Sequence, residues 1–128
     1  MRRPEWSPRS RAGRRLVRKL TLENLWLYVL AILREGPRYG YEFVDLIEGR
    51  FGFRPSRVTC YVVLYRLERE GLISSSRLER SRTGGARVYY ELTERGRDEL
   101  ESALKFLRGV AEALSGRSSS GLSVGVKG

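Results

Sequence analysis

The run from Ser56 to Arg69 concentrates residues able to read a nucleic acid. Ser56 stands where a helix N-cap belongs: it follows Pro55, which bars the residue before it from the helical region, and it precedes a periodic apolar run. Turning about a hundred degrees per residue puts Val58, Thr59, Val62, Tyr65, Arg66 and Arg69 on one face, with Tyr61 at its edge and Ser56 and Arg57 at its start. A solvated helix face is normally Lys, Glu and Gln. Valines, a threonine, tyrosines and arginines suit a major groove instead, where thymine methyls accept apolar contact and Arg, Thr or Tyr reach base edges and phosphates. The competing explanation is that Val58, Val62 and Tyr65 pack on another part of the chain or on a second subunit.

Residue types that are missing argue against catalysis. The 128 residues contain no His and one Cys, which leaves no ordinary zinc site, no His general base and no Cys-His or Ser-His pair. Acids such as Glu68 with Glu70, or Glu94 with Asp98, fall at helical spacings where exposure and ion pairing account for them. No enzyme activity, metal or cofactor is therefore expected. Cys60 lies on the apolar side of the helix, as a small buried hydrophobe of a cytoplasmic protein. The longest apolar run, Leu25 to Leu33, is nine residues, too short to span a bilayer; no membrane partner is expected.

The elements that must position the Ser56–Arg69 face follow from periodicity. Cys60, Val63, Leu64 and Leu67 form a buried stripe, and Gly71 falls where a helix C-terminus prefers a left-handed residue, so the helix is expected over about Arg57 to Glu70. LISSSRLER and RVYYEL then read as strands of a β-hairpin around the turn-rich spacer Ser81 to Ala86. Its tip, with Arg82, Thr83, Gly84, Gly85 and Arg87, flanked by Arg77 and Arg80, makes a basic finger able to contact phosphates or enter a minor groove. A helix followed by such a finger is the order of elements in a winged helix.

Three segments, LTLENLWLYVLAILREGPRYGYEFVDLIE, PSRVTCYVVLYRLEREGLI and RVYYELTERGRDEL, resemble the PadR family of winged-helix transcriptional regulators over about Leu20 to Leu114. The resemblance is carried by Gly36-Pro37, Gly40-Tyr41-Glu42, Tyr61, Leu64, Arg66-Leu67-Glu68, Gly71-Leu72-Ile73, Tyr89-Tyr90, Leu92-Thr93 and Gly96-Arg97. Val58 and Val62 stand where Gly and Pro are common in that family, and Tyr39 where His is frequent; all three sit near the expected DNA face. The resemblance implies a mainly α (α+β) fold, a winged helix-turn-helix with a two-stranded wing and a C-terminal dimerisation helix. It also implies binding to double-stranded DNA as a homodimer, and relatives can hold planar or hydrophobic effectors near the dimer interface.

Charge and periodicity divide the chain. Residues 1–20 hold eight Arg or Lys against one Glu, whereas residues 21–115 hold fifteen bases against fourteen acids, within a total of +10. Residues 1–19 are expected to be a basic flexible arm, either a phosphate-neutralising tether or a merely soluble tail. A winged-helix domain is expected over residues 20–93, a dimerisation helix over 94–115 and a flexible Gly/Ser tail over 116–128. A first helix over Leu22 to Glu35 is apolar all round. A last helix, Glu94 to Leu114, carries Leu100, Leu104, Leu107, Ala111 and Leu114 as a heptad-like seam broadened by Ala103, Phe106 and Val110. A domain this small has too little interior for both, so Leu22, Leu25, Trp26, Val29, Leu100, Leu104, Leu107, Val110 and Leu114 are expected at a homodimer interface. Trp26 could serve as core, as interface or as platform for a small aromatic or hydrophobic effector. The absence of Gln and the single Asn24 are a thermophile tendency. Two functions follow: a dimeric regulator, a repressor that occludes a pseudo-palindromic promoter site, or a winged-helix protein-interaction module in a transcription or repair assembly.

Overall fold

A computed structural model describes residues 5–80, 86–116 and 125. Five helices and three strands follow in the order α1 (Arg11–Leu20), a 3-10 turn (Leu22–Asn24), α2 (Leu25–Arg34), β1 (Arg38–Tyr39), a second 3-10 turn (Gly40–Glu42), α3 (Phe43–Phe51), α4 (Arg57–Arg69), β2 (Ile73–Arg80), β3 (Ala86–Leu92) and α5 (Glu94–Ser115). The fold is a winged helix-turn-helix with a long C-terminal helix.

α2 is the central element: Leu25, Val29, Leu30, Ile32 and Leu33 are all buried, and the helix packs on α3, α4, α5 and β3. α3 adds Phe43, Val44 and Ile47, α4 adds Cys60, Leu64 and Leu67, and Leu72, Ile73, Tyr90 and Leu100 close the core. Much of the apolar surface of the first helix is thus covered within one protomer, with Leu22 exposed and Trp26 half-buried. Leu25, Val29 and Leu100, expected at a subunit interface, are enclosed in this core instead, at 2 %, 0 % and 1 % exposure. The interior is larger than chain length alone suggests, because α3 and the sheet supply cover on sides that the first and last helices leave open.

α4 begins and ends as its sequence predicts. Ser56 is extended (φ −73°, ψ 154°) and its hydroxyl accepts from the Thr59 N–H at 3.1 Å. At the other end Gly71 takes φ +79°, and the amides of Gly71 and Leu72 donate to the carbonyls of Glu68 and Leu67, a Schellman closure that turns the chain into the wing.

The wing pairs Ile73 with Leu92 through Arg77 with Val88, and a register irregularity separates Arg77 from Arg80. The two wing strands are as expected, and β1 joins them in a three-stranded sheet of order β1-β3-β2. β1 pairs Arg38 with Tyr90 and Tyr39 with Tyr89; two residues are too few to show a period-two pattern. The spacer holding Arg82, Thr83, Gly84 and Gly85 lies outside the described residues.

Of the segment expected to be a flexible arm, the part from Arg11 onward is helical. Ser10 caps α1 by accepting from the Gly13 N–H at 2.9 Å. The C-terminal carbonyls of Val17 and Leu20 accept from the Thr21 hydroxyl at 2.6 Å and the Tyr28 hydroxyl at 2.5 Å, and that of Lys19 accepts from the Asn24 amide. Net charge argued for disorder, but the charges share one face and both helix ends are capped. Leu22–Asn24, expected to open the first long helix, forms the tight turn joining α1 to α2.

Where β3 enters α5, Thr93 donates its hydroxyl to the Gly71 carbonyl at 2.7 Å and accepts from the Gly96 N–H at 3.0 Å. A Cβ on Gly96 would strike the Leu72 carbonyl oxygen, a backbone atom that cannot step aside. Gly96→Ala should therefore destabilise the domain by about 3 kcal/mol or more. Gly49→Ala, in α3 with open space around it, should stabilise by about 0.5–1 kcal/mol. Urea titrations of both variants check this, and equal effects would contradict the packing described.

Candidate nucleic-acid interface

The outer face of α4 is presented to solvent. Val58 is 74 % exposed, Tyr65 59 %, Val62 42 % and Tyr61 41 %, while Thr59, Arg66 and Arg69 are also exposed. Val58, Val62 and Tyr65 are therefore not core residues of their own protomer. Tyr65 and Arg69, one turn apart, hold each other: the Arg69 guanidinium donates to the Tyr65 hydroxyl at 3.1 Å and lies over its ring, 5.7 Å from the centroid. Two side chains that lose rotamer freedom in the unbound fold have less to lose on binding.

The face has two flanks. On one, Gly40 approaches α4 so closely that a Cβ there would lie 2.9 Å from Tyr61 Cε1 and 3.3 Å from Tyr90. Around this contact Tyr39 stacks on Tyr41 (centroids 5.7 Å, planes at 10°) and meets Tyr89 edge-on at 4.8 Å. Arg87 sits over Tyr39 at 5.6 Å. The tyrosines connect the start of α3, the recognition face and the base of the wing. Tyr41, 55 % exposed, and Tyr89 were not among the expected site residues, although the Tyr-Gly-Tyr and Tyr-Tyr pairs were visible. What linear spacing hides is β1, which pairs Tyr39 with Tyr89 and brings the two pairs together.

On the other flank Thr59, Val62 and Arg66 line a groove of about 490 Å³ together with Leu22, Trp26, Glu70 and Glu99. The Trp26 indole N–H donates to the Asn24 side-chain oxygen at 3.3 Å. Thr59 and Arg66 thus border this groove as well as the outer face, whereas Val58, Tyr65 and Arg69 look outward only.

Cys60 is 1 % exposed, and burial pushes its thiol pKa up, which disfavours the reactive thiolate. Among the described residues no group of His, Cys, Asp and Glu could hold a metal ion, and no helix is long and apolar enough to cross a membrane. Within α5, Phe106 and Leu114 are exposed at 43 % and 84 %, and Leu104, Leu107 and Val110 are half-buried. Leu22 is exposed and Trp26 half-buried on the N-terminal side of α2.

Known proteins share this arrangement. Residues 29–102 match the family described as "Transcriptional regulator PadR-like family". The chain is similar to a PadR family transcription regulator from Clostridium difficile, with 31 % identity and a TM-score of 0.62 over 70 % of this chain and 93 % of that one. It is also similar to a PadR family regulator from Eggerthella lenta, with 27 % identity and a TM-score of 0.66 over 83 % and 95 % of the two chains. PadR of Bacillus subtilis, whose structure is in complex with operator DNA, shares 28 % identity with a TM-score of 0.57, over 62 % of this chain and 46 % of its own. No match was found among curated proteins.

The Ser56 hydroxyl serves the helix end and also lies at the edge of the exposed face, and substitution separates the two roles. Ser56→Ala should lower stability by about 1 kcal/mol. Ser56→Asp should retain the cap and the stability, since a carboxylate suits a helix N-terminus, yet weaken binding to duplex DNA by placing a negative charge there. Thermal melts and fluorescence anisotropy read the two effects independently; loss of stability in Ser56→Asp would remove the distinction.

Proposed function

The chain belongs to the PadR-like family of transcriptional regulators, and from that premise we propose that it binds double-stranded promoter DNA as a homodimer and represses by occluding the promoter. The observation that carries this reading is the exposed α4 face of Val58, Tyr61, Val62 and Tyr65 bounded by Arg66 and Arg69. α4 lies in the major groove, where Val58 and Val62 meet thymine methyls and the arginines and Thr59 reach base edges. Arg87 and the spacer residues Arg82, Thr83, Gly84 and Gly85 contact the backbone beside it. Tyr39, packed against Tyr41, Tyr89 and Arg87, meets the DNA beside the wing, and Ser56 and Arg57 approach phosphates at the helix start. The operator complex formed by the Bacillus subtilis relative supports DNA as the partner.

Dimerisation uses the side of α5 that one protomer leaves open. Phe106 and Leu114, with Leu104, Leu107 and Val110 beside them, pack with Leu22 and Trp26 across a two-fold axis. Such symmetry presents two copies of α4 to half-sites about 34 Å apart, one turn of DNA. The groove beside Trp26 offers a place for a small planar or hydrophobic effector, which would press directly on Thr59, Val62 and Arg66 and so couple occupancy to DNA release.

The experiment compares the DNA upstream of the encoding gene with a scrambled duplex of equal length across a salt series. Preference for the native duplex that persists at high salt is the expected result. Equal, steeply salt-sensitive binding to both would point to the other use of this face, docking of a protein partner. Arg82→Ala with Arg87→Ala should lower the slope of log affinity against log salt by about 0.9 for each phosphate that is no longer neutralised; an unchanged slope would remove the wing from the DNA. Leu107→Glu with Val110→Glu should sediment as a monomer with weakened operator binding, and a persistent dimer would overturn the interface.

A further inference from the structure

We propose that α1 is a second DNA-binding element, a preformed basic rod that lies along the phosphate backbone next to the major groove occupied by α4. This rests on the DNA-binding reading above, but it concerns a segment that lies outside the matched residues 29–102. Arg11, Arg14, Arg15, Arg18 and Lys19 occupy a single arc of about 140°, and Ala12, Gly13, Leu16, Val17 and Leu20 occupy the opposite side. The ten residues contain no acid. Glu23, in the turn that follows, is bound by Lys19 at 2.8 Å and Arg18 at 3.4 Å, and the Lys19 hydrogen bond lowers its pKa against an opposing desolvation. Arg11 and Arg14 have no acidic partner among the described residues, so the free end of the helix carries the least neutralised charge.

Order and position distinguish this element from a loose basic tail. Ser10 caps the helix, and the preceding chain folds back on it: Gly13 is buried, with its Cβ position 2.6 Å from Pro8 and 3.3 Å from the Trp6 ring. The Arg14 side chain donates to the Arg9 carbonyl at 3.2 Å. At its C-terminus α1 runs into the turn whose Leu22 and Glu23 share a groove with Thr59, Val62 and Arg66 of α4. The rod therefore starts at the rim of the recognition face. Ten residues span about 15 Å, equal to the rise of about four phosphates of one strand along the DNA axis. Residues 21–115 are nearly neutral, with fifteen bases against fourteen acids, so the long-range attraction to a polyanion resides mainly here. A basic amphipathic helix can also lie on an anionic membrane. The DNA assignment is favoured by the junction with α4, which places the helix beside the outer face of α4.

The test uses the full chain carrying Arg11→Gln, Arg14→Gln and Arg15→Gln, compared with wild type on the upstream and scrambled duplexes between about 50 and 200 mM salt. The variant should bind both duplexes more weakly, with a log–log salt slope shallower by about 2.7, equivalent to losing about 40-fold of the salt-dependent change in affinity over that range. The triple Arg→Lys variant should restore the slope. If the Gln variant loses helix content by circular dichroism, Arg15→Gln alone, expected to change the slope by about 0.9, gives the same reading. An unchanged slope overturns the proposal. So does an unchanged slope together with lost sedimentation on phosphatidylglycerol/phosphatidylcholine vesicles, which would make α1 a membrane contact. If the slope falls as expected on both duplexes but wild type does not prefer the upstream one, the backbone role of α1 stands and the proposed specificity fails.

Discussion

Thr93 sits at the junction on which the rest of the structure depends. Its hydroxyl donates to the Gly71 carbonyl and accepts from the Gly96 amide, while its own amide donates to the Leu72 carbonyl. The end of the recognition helix, both strands of the wing and the start of the C-terminal helix are thus joined within a few residues. Two glycines make the approach feasible for different reasons. Gly71 must take a positive φ to close α4, and Gly96 must lack a side chain because the Leu72 backbone occupies that space. The start of α5 is therefore tied to the end of α4 and to the wing by one backbone hydrogen bond and by two that the Thr93 hydroxyl makes to backbone groups.

This rigidity suits a division of labour on the surface. The outer face of α4 is mostly apolar and aromatic, with its arginine and tyrosine already paired, and under the proposed reading it discriminates between bases. Charge that would attract any polyanion is concentrated instead in α1. Under the proposed DNA-binding reading, this separation lets the domain find DNA rapidly while the groove contacts of α4 decide where it stays.

Most of α4 and its stripe could be read from the sequence, because capping at Ser56, apolar spacing through Cys60, Leu64 and Leu67, and Gly71 all point to one answer. The hairpin strands were equally legible. β1 was not: two residues have no periodicity, and only their pairing with Tyr89 and Tyr90 makes them a strand, which is why the tyrosine cluster was seen in part. α1 was missed because composition reports how much charge a segment carries and not how it is arranged around a helix. Leu25, Val29 and Leu100 were assigned to an interface because a linear sequence shows that a helix is apolar all round without showing how many elements cover it.

The most direct test of the central claim, that the valines of α4 lie against thymine methyls in a major groove, is a double-mutant cycle across the complex. Thymines of the bound site are replaced one at a time by uracil, which removes only the methyl, and affinities are measured for wild type, Val58→Ala and Val62→Ala. A groove-reading α4 predicts that at least one thymine loses its effect when its valine is truncated, a coupling of about 0.5 kcal/mol or more. Strict additivity at every thymine for both valines would contradict the assignment of this face to the bases.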